Sequence, residues 1–142
     1  MNELALTRKD QIFKLEEVLK DLPQATAQLT HHFAEGIYVR ALYKKKGTVS
    51  TGHIHRYDCV TIMPSGHVRT VTTTQTEDVV EVYKGFAIFS SPAGSKRASV
   101  ALEDTIWITV HANPDNERDV DKLEARLVTN NFEELALSLI HI

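Results

Sequence analysis

The sequence predicts a mainly β domain, a sandwich or barrel rather than a parallel α/β sheet, with one helix before it and another behind. Three observations predict this. Between residues 29 and 111, β-branched and aromatic residues come in short runs, from Ile37 and Val39 through Val60, Ile62, Val79, Val80 and Val82 to Ile106, Ile108 and Val110. Turn signals separate the runs at short intervals: Gly36, Gly47, Pro64-Ser65-Gly66, Lys84-Gly85 and Pro92-Ala93-Gly94. Helical periodicity is clearest towards the two ends of the chain.

The first helix starts at Thr7, a plausible N-cap with Asp10 three residues on. Ile12, Leu15, Val18, Leu19 and Leu22 recur at helical spacing, Lys14, Glu16, Glu17 and Lys20 fill the other face, and Pro23 ends it. Such a stripe must lie on its own domain or on a second subunit. The threonine run at residues 70–76 suits an exposed strand or a hairpin. After His111, residues 112–117 form a polar turn, and a second helix is expected at residues 120–128, with Val120, Leu123, Leu127 and Val128 on one face and Asp119 and Asp121 at its start. In the tail, Leu135, Leu137 and Leu139 fit a strand, whereas Phe132, Leu135 and Leu139 fit a helix. The expected organisation is a helical segment at residues 1–28, a β-barrel at 29–112, and a helix with a tail at 113–142.

A chain of 142 residues with 42% hydrophobic and 25% charged residues has the size and composition of one soluble domain. Sixteen Lys and Arg against nineteen Asp and Glu leave a net charge of −3, which argues against a nucleic-acid partner. The basic run Lys44-Lys45-Lys46 is too short to alter that. No apolar stretch approaches the roughly 20 residues needed to cross a bilayer, and the N-terminus lacks a secretory pattern. The expectation is a cytoplasmic protein without a membrane partner. Cys59 is the only cysteine, so no intrachain disulfide can form.

Histidine carries the most information, with seven at positions 31, 32, 53, 55, 67, 111 and 141. In a strand, residues two apart share a face, so His53 and His55 project into one space, where they could bind a transition metal or a polar ligand. An isolated His-x-His on a solvent face is the alternative. His111 shares parity with Trp107 and Thr109, opposite Ile106, Ile108 and Val110. It either completes a site across a cavity or, with Trp107, covers the outside of a sheet. His31, His32 and His67 belong at strand ends or on the surface.

Gly47, His53-x-His55, Cys59 and Gly66 reproduce the spacing of the first cupin motif. Gly85, Pro92-Ala93-Gly94, Arg97 and Ala101 resemble the second with one extra residue. This resemblance implies a single small antiparallel jelly roll with a ligand cavity, and in many members a divalent metal held by three His and one Glu. Here Cys59 stands at the Glu position, Arg97 at the third His and Ala101 at the motif's Asn. Ser91 to Arg97, Glu103 to Trp107, Val110-His111 and the acidic helix behind them also resemble small single-domain cupin-like proteins of tailed bacteriophages and prophages.

Arginine cannot ligate a metal, and its planar fork suits carboxylate or phosphate. The reading carried forward is therefore a phage-type, cytoplasmic binder of a small anion, such as a nucleotide, sugar phosphate or organic acid, without turnover. Its expected ligand-binding residues are His53, His55, Tyr57, Arg69, Arg97 and Trp107. The bland reading of Lys96-Arg97 is a solvated turn. Two alternatives stand beside this one. The first is a metal-dependent dioxygenase, isomerase or hydrolase holding Zn, Fe, Mn or Ni through His53, His55, His111 and Cys59. The second is a virion or assembly protein, a homodimer or larger, whose association is lost when residues 1–23 are deleted.

Overall fold

The computed structural model describes residues 7–24 and 28–129. The first helix, α1, spans Arg8–Lys20; Thr7 caps it by accepting from the Asp10 N–H at 3.1 Å, as its sequence predicts. Strands follow in close succession: β1 Gln28–Ala34, β2 Gly36–Lys44, β3 Val49–Thr51, β4 Ile54–His55, β5 Cys59–Ser65, β6 His67–Thr73, β7 Asp78–Lys84, β8 Ala87–Ser91, β9 Lys96–Ala101 and β10 Thr105–Asn113. A second helix, α2 (Val120–Leu127), runs directly into β11 (Val128–Thr129). Asp119 caps α2, accepting from the N–H groups of Asp121 and Lys122. The tail from Phe132 onward, with its strand-or-helix alternatives and His141, lies outside the described residues.

All strand pairings are antiparallel. One sheet has the order β1-β2-β10-β5-β8, a second β3-β9-β6-β7, and β4 pairs with β11. The result is a small antiparallel jelly roll with a helix at each end, the expected fold. The threonine run divides between the end of β6 and the turn into β7, where Thr74 Oγ1 accepts from the N–H groups of Thr76 and Glu77. Gly66 makes the turn from β5 to β6 at φ +128°, and a Cβ there would collide with Thr105.

Two apolar clusters hold the structure. Met63, Val68 and Trp107 pack with Leu42, Tyr83, Ala87 and Phe89 between the two large sheets. Tyr38, Leu123 and Leu127 pack with Phe33 and Val128, which seats α2 on β2. Helix α1 lies against β3 and β9. There Lys96 is fully buried and reaches Glu16 Oε2 at 3.0 Å, which in turn accepts from the Thr51 hydroxyl.

The five-stranded sheet inverts the usual polarity of a strand. On β2, Tyr38, Arg40, Leu42 and Lys44 line the interior, and on β10, Trp107, Thr109 and His111 do so. By alternation, Ile37, Val39, Ala41, Tyr43, Ile106, Ile108 and Val110 face outward. On these two strands the more apolar alternate set is outside, and His111 and Trp107 point inward instead of covering the sheet.

Candidate functional site

The interior of the roll contains a cavity of about 320 Å³. Each wall follows from local geometry. The segment entering β4 puts His53 and His55 on the cavity side, because Ile54 between them is fully buried on the other. From the four-stranded sheet, Ser50 on β3 stands directly opposite Ser99 on β9, and Arg97 follows two residues earlier on the same face. The facing sheet contributes Tyr38, Arg40, Leu42 and Lys44 from β2 and Trp107, Thr109 and His111 from β10. Helix α2 closes the mouth with Val120, Glu124 and Leu127.

Of the residues expected to bind a ligand, His53, His55, Arg97 and Trp107 come together here. Tyr57 and Arg69 do not line this cavity. Tyr57 is 42% exposed on the loop after β4. Arg69 is exposed because its neighbours Val68 and Thr70 take the buried face of β6. Lys96-Arg97 is part of β9 rather than a solvated turn. His31 bonds the Tyr38 hydroxyl at 2.7 Å, His32 is exposed, and His67 opens β6.

Electrostatically the interior is cationic. Arg97 donates from Nε to Thr72 Oγ1 at 3.0 Å and from a terminal nitrogen to Ser91 Oγ at 3.4 Å, and its guanidinium lies 5.4 Å from the ring centres of both Phe89 and Trp107. Lys44, 7% exposed, donates to Ser50 Oγ and Ser99 Oγ, each at 3.1 Å. The Arg40 side chain has neither a hydrogen bond nor an ion pair with any described residue. Among the described residues the single carboxylate of the lining is Glu124, at the mouth, 3.7 Å from His53 Nε2 and about half exposed.

Burial, followed by the charges of His111, Arg97 and Arg40, pushes the pKa of His55 down to about 4. Burial and then Arg40 push His111 down to about 4 as well. Both rings are therefore neutral at physiological pH. Cys59 Sγ lies 3.3 Å from His55 Nδ1, yet burial raises its pKa to about 11 despite nearby Arg97, so it remains a protonated thiol.

The metal set His53, His55, His111 and Cys59 is not assembled. Among the described residues, no three or more His, Cys, Asp or Glu side chains form a group that could hold a metal ion. His55 and His111 rings are 6.2 Å apart, and His53 turns to Glu124. Arg97 holds a fixed positive charge where the motif's third histidine would stand. This donor set does not fit a divalent cation.

Sequence reasoning missed Arg40, Lys44, Ser50, Ser99 and Glu124. The signal for the first two was present: Arg40 and Lys44 share parity with Tyr38 and Leu42, but the greasier alternate set was the natural candidate for the inside.

Solved structures share this two-sheet antiparallel roll, a cupin domain among them. KdgF from Halomonas sp. is 17% identical, with a TM-score of 0.51 over 67% of this chain and 84% of that one. A cupin domain from Bordetella pertussis Tohama I is 12% identical, with a TM-score of 0.50 over 65% and 98%. Oxalate oxidase in complex with the substrate analogue glycolate is 10% identical, with a TM-score of 0.53 over 64% of this chain and 53% of that one. At these identities the likeness is one of fold. No protein-family profile and no curated protein sequence matches the chain.

Proposed function

We propose that the protein binds a small anion in the cavity of its jelly roll, without turnover of the kind a metal centre would supply. The observation that carries this reading is the convergence of Arg40, Lys44 and Arg97 on a space whose one carboxylate, among the described residues, stands at the rim. Buried charges without a partner are costly, by several kcal/mol each in apolar surroundings. Serine and threonine hydroxyls and the Trp107 ring offset part of that cost, and a bound carboxylate or phosphate would supply the missing counter-charge. Glycolate, held by the oxalate oxidase of the same fold, is a ligand of this class. A volume near 320 Å³ favours an organic acid or sugar phosphate over a whole nucleotide.

The phage-type resemblance of residues 91–111 belongs to this proposal, with the host cytoplasm as the compartment. Self-association belongs to it too, through the uncharged outer face of the five-stranded sheet.

Thermal unfolding of the purified chain with inorganic phosphate, citrate and a sugar phosphate tests the reading. A ligand at a hundred times its dissociation constant stabilises by about 2.7 kcal/mol. Arg97→Gln should abolish the shift. A broad anion panel without stabilisation would overturn the proposal.

A further inference from the structure

Two lysines are buried, and they are held in different ways. Lys96 faces the Glu16 carboxylate at 3.0 Å, donates to the Gly52 carbonyl at 2.8 Å and lies over the Phe13 ring. Its charge is matched, and its place under α1 is structural. Lys44 has no carboxylate partner among the described residues. Its Nζ rests on Ser50 Oγ and Ser99 Oγ, and those two oxygens are also 3.1 Å from each other, so amine and hydroxyls form a closed triangle facing the cavity. The Trp107 ring carries both cations, with Lys44 Nζ and the Arg97 guanidinium each 5.4 Å from its centre.

A desolvated amine beside a fixed guanidinium is the setting in which an ammonium most readily gives up its proton and becomes a nucleophile. Burial, then the charge of Arg97, pushes the Lys44 pKa down to about 8. Arg97 stays charged, with donors beyond the two that Thr72 and Ser91 engage.

We infer that Lys44 is a carbonyl-trapping nucleophile, which condenses reversibly with a small oxo acid whose carboxylate pairs with Arg97 while Ser50 and Ser99 relay the protons. The inference rests on the anion-binding reading and narrows its ligand to carboxylates that also bear an aldehyde or ketone. In the first step the Nζ lone pair adds to the carbonyl carbon and the C=O π pair moves to oxygen. One N–H proton crosses a serine hydroxyl to that oxygen, giving a carbinolamine. The serine hydroxyls then carry the remaining N–H proton to that oxygen, which leaves as water with the C–O electron pair while nitrogen forms C=N. Amine and carbonyl become imine and water, nothing is oxidised or reduced, and no co-reactant is required.

Borohydride trapping tests this. The purified chain is incubated with pyruvate, glyoxylate or succinic semialdehyde, reduced with borohydride, and read by intact mass and peptide mapping. With pyruvate the expected product is one N-(1-carboxyethyl) group per chain, located on Lys44. The yield should fall at least about tenfold with neutral acetone or in Arg97→Gln, the loss of one charge-assisted contact. Lys44→Met should carry no such group, and mapping of the unaltered chain decides the point even if that variant folds poorly. Adducts confined to exposed lysines such as Lys45 and Lys46, or no adduct at all, would overturn the inference. If phosphate still stabilises the fold in that case, the anion-binding reading survives. If neither phosphate nor pyruvate stabilises it, both fall.

Discussion

His55 and His111 make the folded state sensitive to acid. Unfolded imidazoles take up a proton near pH 6.5, whereas these two hold theirs off until about 4. Between those values the unfolded chain binds more protons, so stability is full above about pH 6.5 and falls as the pH is lowered towards 4. Urea unfolding should register a loss on the order of 2 kcal/mol for each ring between pH 7 and pH 5. His111→Gln, which leaves a side chain able to bond Thr109, should remove about half of the pH dependence. A profile unchanged in that variant would mean that His111 is not a buried neutral ring. His53 and His55 were legible in the sequence because strand parity fixes which residues share a face. Which face is inside was not legible at His111, since alternation is blind to direction and Ile106, Ile108 and Val110 offered the more apolar candidate.

The two helices are fastened to the roll by different means. Helix α2 is held by Leu123 and Leu127 on Tyr38, by β11 on β4, and by the Arg126 fork on Asp115 at 2.6 and 2.8 Å. That fork is exposed, so Arg126→Ala should cost under about 1 kcal/mol. Helix α1 is held differently, because its Glu16 answers a lysine that has no exposure to water. Glu16→Ala and Lys96→Met should each destabilise by about 3–5 kcal/mol in urea unfolding, because Glu16 is itself 9% exposed and either change leaves one charge of the pair buried without the other. The double variant should cost less than the sum of the two, and strict additivity would contradict this account. Both helices were legible from their caps and apolar spacing. The Glu16–Lys96 pair was not, because it joins residues 80 positions apart, and no local pattern specifies such a contact.

On the scale of the whole molecule, the outer face of the five-stranded sheet stands out. Ile37, Val39, Ala41, Tyr43, Val60, Ile62, Ile88, Ile106, Ile108 and Val110 share it without a charged neighbour among these alternating positions, and Ile88 is 58% exposed. Five strands about 4.8 Å apart give a face about 20 Å wide, and the nine residues of β2 or β10 make it about 30 Å long, so its roughly 600 Å² is of the order of one partner's share of a standard interface. A second copy, presenting the same uncharged face about a two-fold axis, matches it best. Sedimentation of the full chain should show a dimer, and Ile108→Lys a folded monomer. A monomeric parent chain would remove this part of the proposal.

That inverted sheet bears on how the chain finds its pairing. Were β2 to slip one residue against β10, Arg40 and Lys44 would swing to water and Ile37 and Val39 would turn inward, an exchange that oil-and-water partitioning alone would reward. Tyr38 stands against it: fully enclosed, stacked between Phe33, His31 and His111, and pressed by Leu123 and Leu127, it fills a space that the smaller neighbour brought by the slip would leave partly void. One aromatic ring thus acts as the pin that keeps the positive charges facing the hollow.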